Sequence, residues 1–102
     1  MIRRLSHQEA KGFLDAHPEA VLLDVREEAE YITGHASGAV LLPVDELTDE
    51  SALDTIGDLE TPVLVYCRSG YRSHVAALKL ESFGYGQIYD LGSLIGWPYG
   101  LE

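Results

Sequence analysis

Strands buried on both faces of a sheet appear in sequence as short, near-continuous apolar runs, and this chain has three of them, at 20–25, 39–42 and 62–66. The first ends in Asp24-Val25, the second at Pro43, and the third, Pro62-Val63-Leu64-Val65-Tyr66, is rich in β-branched and aromatic residues and opens on proline. Gln87-Ile88-Tyr89-Asp90-Leu91 makes a fourth strand, followed by a turn over 92–96 that leads to Trp97. Ile2 to Leu5 is a candidate fifth.

The segments between these runs have helical spacing. Ser6 and Glu9 stand as a capping box, Ala10, Phe13 and Leu14 continue on one face, and His17-Pro18 closes the helix. Glu27 to Thr33 forms a short helix stopped by Gly34, residues 45–60 one or two short surface helices broken near Gly57, and Ser73 to Phe83 a helix ending at Gly84. Strands alternating with helices predict an α/β fold: a three-layer domain with a central, mainly parallel sheet of four to five strands flanked by helices. With 102 residues, 46% of them apolar, and no linker or repeat, residues 1–100 form one domain. Leu101-Glu102 follows the last turn residues and reads as the remnant of an expression tag, set aside from functional argument.

The charge is lopsided. Residues 1–60 hold 14 acids against 4 bases, whereas 61–102 hold 3 of each, so the whole net charge of −10 sits in the first part. Phosphate backbones and anionic membranes repel such a chain, and no basic stripe interleaved with aromatics offsets that, so no nucleic acid or membrane partner is expected. The acidic run reads mainly as a solvated face, with a docking surface for a basic protein as the alternative. No apolar run follows the basic N-terminus as a secretory signal requires, and a single cysteine forms no internal disulfide or Cys-pair zinc site. A cytoplasmic, reducing location is the expectation. Gly84-Tyr85-Gly86 follows a helix rather than a strand, so no nucleotide-binding loop is expected.

Against this background Cys67-Arg68-Ser69-Gly70-Tyr71-Arg72-Ser73 stands out, between a strand and the next helix. Such a loop turns successive backbone N–H groups inward, and the helix N-terminus adds about half a positive charge at the same centre. A thiolate there is stabilised; cysteines in such settings have pKa values of about 3.5 to 7.5. Cys67 is therefore the candidate nucleophile. Gly70 lets the loop close, Ser69 and Ser73 offer hydroxyls, and Arg68 and Arg72 offer guanidinium groups to an anionic substrate. The bland alternative is an inert core cysteine, but a core residue has no need of the polar Arg-Ser-Gly-Tyr-Arg that follows.

The chain resembles the rhodanese-like sulfurtransferases, specifically the small single-domain members. The likeness rests on Asp24-Val25-Arg26, Glu30-Tyr31, Gly34-His35-Ala36 and Gly38-Ala39, then on Val63 through Ser73, then on Leu91-Gly92 and Gly96-Trp97, together spanning nearly the whole chain. It implies that Cys67 takes sulfane sulfur from thiosulfate or a similar donor as a persulfide and passes it to cyanide or a thiol, without metal or cofactor. It also implies that the backbone N–H groups from Arg68 through Ser69, Gly70 and Tyr71 to Arg72 hold the persulfide, and that the Arg68 and Arg72 side chains receive the anionic donor. One departure stands in the closing block: Gly92-Ser93 replaces the two adjacent glycines that members often carry, which bears on how that turn meets the cysteine loop.

Two rival activities follow. A persulfide carrier serving a protein donor or acceptor would show itself by preferring that protein to small acceptors. Cysteine-dependent phosphatases and arsenate reductases space Cys and Arg further apart than the four residues seen here and usually place histidine where this chain has Tyr66, so they are disfavoured. Asp24 and Arg26 are candidate supports of the site. Asp24 suits that role and a structural one equally, whereas Arg26 reads better as structural, paired with Glu30 across one helical turn. His35 reads as structural, and His7, His17 and His74 as surface or helix residues.

Overall fold

The structure, a computed structural model, describes residues 1–102. It holds five strands, β1 (Ile2–Arg4), β2 (Val21–Asp24), β3 (Val40–Leu41), β4 (Val63–Cys67) and β5 (Ile88–Ser93). Four helices join them, α1 (His7–Ala16), α2 (Glu28–Tyr31), α3 (Asp49–Ile56) and α4 (Tyr71–Ser82), with a 3-10 turn at Val44–Glu46. The sheet order is β1-β5-β4-β2-β3, and every pairing is parallel. The expected three-layer α/β architecture is observed, and Ile2 to Leu5 does contribute the fifth strand.

Local chemistry explains the elements. Ser6 and Glu9 form the capping box, with Glu9 N–H donating to Ser6 Oγ at 3.1 Å and Ser6 N–H to the Glu9 carboxylate at 2.8 Å. Thr48 and Ser51 repeat the arrangement at the start of α3. Every residue of central β4 is buried, and the period of two divides them. Val63, Val65 and Cys67 join the core under α3 and α4, while Leu64 and Tyr66 join the one under α1. Cys67 thus emerges at the carboxyl end of the central strand on the α4 face. That is where open parallel sheets bind ligands.

Two boundaries differ from the sequence reading. Helix α4 starts at Tyr71 rather than Ser73, because Gly70 takes the positive φ (+103°) that turns the chain into the helix. Strand β5 runs on through Gly92-Ser93 instead of turning at Gly92. The cause is a bulge: Val65 pairs with Asp90 but Tyr66 pairs with Gly92, leaving Leu91 as the extra residue. Asp90 Oδ1 accepts the Gly92 N–H at 2.8 Å and holds the irregular turn. No helix is long and apolar enough to cross a membrane.

Candidate active site

Cys67 is fully buried, and its sulfur accepts the Gly70 N–H at 2.9 Å. That contact shows the loop curled back on the sulfur, with the N-terminus of the twelve-residue α4 opening immediately beyond. Buried Ser73 donates its hydroxyl to the Gly70 carbonyl at 3.1 Å and so braces the turn from within the helix. Ser69 is exposed, as is Tyr71, whose side chain is 76% accessible and serves no packing role.

Around this loop the charges sort themselves into pairs. Arg72 donates to both carboxylate oxygens of Glu30, at 2.6 and 2.9 Å. The Arg72 guanidinium holds the Glu30 carboxyl at a pKa of about 2, well below its ordinary value, and Glu30 in turn raises that of Arg72. Arg26 does not meet Glu30 as the one-turn spacing suggests. It folds back onto Asp24, its Nη2 lying 2.6 Å from Oδ2, because Asp24 is fully buried at the strand end and needs a cation nearby. Arg26 also donates its backbone N–H to Asp24 and an Nη2–H to the Gly34 carbonyl, at 3.0 and 2.8 Å.

Tyr66 completes the buried network. Its hydroxyl donates to Asp24 Oδ2 at 2.6 Å and accepts the Ala36 N–H at 3.1 Å, and its ring lies under the Arg26 guanidinium. Burial first, then the bond to Asp24, raises the Tyr66 pKa above its ordinary value. The Asp24–Arg26 pair thus ties β2, β4 and the segment around Gly34–Ala36 together, and Arg26 also lines the cavity that Arg68 faces.

Arg68 is exposed and enters no ion pair, which leaves it the one loop arginine free to meet a ligand. It lines an open cavity of about 390 Å³ whose walls include Thr33, Ile95, Trp97 and Leu101. Leu101 also bridges to Ala36, so the chain end set aside on sequence grounds reaches the cavity wall. His35 stacks on Tyr31 with ring centroids 3.7 Å apart, consistent with a structural histidine. His7 does more than sit on a surface: it donates Nε2–H to the Ser93 carbonyl at 2.7 Å and packs edge-on against Trp97. No three His, Cys, Asp or Glu side chains gather as a metal site.

Glu30, expected to pair with Arg26, and Ser93, given no role in the sequence, are the contributors that the fold reassigns. Nothing in local spacing announces that Glu30 reaches Arg72, 42 residues away. For Ser93 the signal was the departure from paired glycines.

Comparison with known proteins places the chain among its relatives. The family model described as Rhodanese-like domain matches residues 6–97. A thiosulfate sulfurtransferase GlpE of Tolumonas auensis is 36% identical over 97 residues, covering 94% of this chain and 88% of that protein. A tRNA uridine(34) hydroxylase of Protochlamydia amoebophila is 30% identical over 106 residues, and the match covers 98% of this chain but only 32% of the hydroxylase. The solution structure of a Rhodanese-like domain from Anabaena superposes with a TM-score of 0.86 at 24% identity, over all of this chain and 80% of that one, a likeness of fold.

Proposed function

The chain belongs to the rhodanese-like domain family, and on that footing we propose that it is a sulfurtransferase working through a persulfide on Cys67, with thiosulfate or a similar sulfane-sulfur anion as donor. The observation that carries the reading is the Gly70 N–H directed at the Cys67 sulfur at the mouth of α4. Backbone N–H groups and a helix N-terminus stabilise negative charge on sulfur without a metal or a general base.

In the first step the Cys67 thiolate attacks the outer sulfur of thiosulfate. An S–S bond forms to Sγ, the S–S bond to the sulfonate group breaks, and sulfite leaves with the electron pair. In the second, a thiolate or cyanide attacks the outer sulfur and Cys67 departs as thiolate. The loop N–H groups from Arg68 to Arg72 hold the anionic sulfur through both steps. The Arg68 side chain meets the donor from the cavity side, as suits its lack of a partner. Arg72, whose guanidinium is committed to Glu30, acts as a brace and a standing positive charge beside Cys67.

Steady-state assay of thiocyanate formation from thiosulfate and cyanide tests the proposal. Turnover in the wild-type protein that vanishes in Cys67→Ser supports it, and turnover that survives the substitution overturns it.

A protein-fed carrier is the second reading, favoured by one observation. Ile95, 70% accessible, lines the cavity with Arg68 and Trp97. An exposed apolar side chain beside the cavity that Arg68 lines suits contact with another protein's surface. Preference for a protein thiol over cyanide and small thiols would favour the carrier.

A further inference from the structure

The end of β5 grips the cysteine loop at successive carbonyls. Leu94 N–H donates to the Cys67 carbonyl at 2.8 Å, and the Ser93 hydroxyl donates to the Arg68 carbonyl. Ser93 is itself fixed: its Oγ accepts the Ile95 N–H at 3.0 Å and its carbonyl accepts His7 Nε2–H at 2.7 Å. The bulge at Leu91 makes these contacts feasible, because it places Ser93 rather than Gly92 opposite Cys67 in the β4–β5 register. Gly92 meanwhile lies close against Gly70, with 3.8 Å from its Cα to where a Cβ on Gly70 would stand.

The geometry points to Ser93 as a positioning residue for the sulfur centre, acting through the Arg68–Ser69 peptide. In a trans peptide the carbonyl and the following N–H point in opposite directions. With the Arg68 oxygen held toward β5 by the Ser93 hydroxyl, the Ser69 N–H turns away from β5, into the loop that already aims Gly70 N–H at Cys67 Sγ. A glycine at position 93 leaves that peptide free to rotate, so the serine supplies an anchor that paired glycines lack. The effect falls on negative charge at sulfur, in the thiolate and in the persulfide alike. Its kinetic arm rests on the sulfur-transfer reading; its chemical arm does not.

The test compares Ser93→Ala, Ser93→Gly and Ser93→Thr with wild type in two measurements, beside a thermal melt. The first is the pH profile of Cys67 alkylation by iodoacetamide, which needs no transfer activity and is unambiguous because Cys67 is the only cysteine. The second is thiosulfate:cyanide kinetics. Ser93→Ala and Ser93→Gly should move the alkylation profile to higher pH and lower kcat roughly tenfold, as expected for one lost bond to a charged centre, with KM for thiosulfate within about twofold. Ser93→Thr, which keeps the hydroxyl, should restore both. An alkylation profile unchanged in Ser93→Ala overturns the assignment, as does an equal loss in Ser93→Thr. If the wild-type protein shows no transfer, thiosulfate-to-cyanide transfer fails as the reading and the alkylation profiles alone decide the role of Ser93.

Discussion

Arg72, on the first turn of α4, and Glu30, on α2, meet through two hydrogen bonds of 2.6 and 2.9 Å. The pair spans 42 residues of sequence and joins the helix that follows the cysteine loop to the one that follows the buried Asp24–Arg26 turn. Glu30 also accepts the Glu27 N–H at 2.9 Å, so a single carboxylate caps α2 and anchors Arg72.

This pair makes folding stability depend on pH at the acid end. The Glu30 pKa is lowered from 4.5 to about 2 in the folded protein, chiefly by Arg72. Its contribution is therefore fully present above pH 4.5 and is lost as pH falls toward 2. Both side chains are partly accessible, so the pair is worth about 1 kcal/mol, or roughly 4–8 °C in the thermal midpoint of a domain this size. Glu30→Gln should show that deficit at pH 7 and a shrinking one as pH falls from 4.5 to 2, as read by calorimetry; a deficit independent of pH contradicts the assignment.

Removal of the buried carboxylate at Asp24 should be far more damaging. Asp24→Asn leaves the buried Arg26 guanidinium without its counter-charge, a loss of about 3–5 kcal/mol. Tyr66→Phe removes one bond to Asp24 and one from Ala36 N–H and should cost about 1–3 kcal/mol. Urea titrations followed by circular dichroism rank the two; equal midpoints for Asp24→Asn and wild type would contradict the structural role.

Gly70 has a φ of +103°, which a side chain resists, yet a Cβ there would meet its nearest neighbour, Gly92 Cα, at an ordinary 3.8 Å. Gly70→Ala is thus a backbone substitution rather than a steric one. It should destabilise the fold by about 1–2 kcal/mol and lower transfer by more than the loss of folded protein explains, because the N–H on Cys67 Sγ moves with the strain. Activity corrected for folded fraction is the comparison to make.

Arg68 separates donor binding from chemistry. Because it is exposed and in no ion pair, Arg68→Ala should leave the thermal midpoint within about 2 °C while raising KM for thiosulfate about tenfold. Raised salt should mimic the effect in the wild-type protein and have little further influence on the variant. A KM unchanged by the substitution would remove Arg68 from the donor site.

Much of this was legible in the chain itself. The run Pro62 to Tyr66 announced the central strand, Ser6 and Glu9 the first helix, and the polar loop after Cys67 the candidate site, because each depends on neighbours within a few residues. What escaped depends on burial and on partners brought together by the fold. Arg26 chooses Asp24 over Glu30 because burial of Asp24 demands it, Glu30 is left for Arg72, and Ser93 reaches Arg68 only because the bulge at Leu91 shifts β5 by one residue. Local spacing offers Arg26 both Asp24 and Glu30 without deciding between them, and does not encode the Glu30–Arg72 and Ser93–Arg68 contacts.

The most direct test of the central claim is intact mass spectrometry of the protein before and after thiosulfate, without reductant, and again after dithiothreitol. With one cysteine in the chain, the account predicts a gain of a single sulfur that dithiothreitol removes and that Cys67→Ser never shows. Reversal separates the persulfide from a sulfinic acid of nearly equal mass, which dithiothreitol does not reduce. No reversible gain on a protein whose Cys67 is shown to be reduced would contradict thiosulfate as the donor.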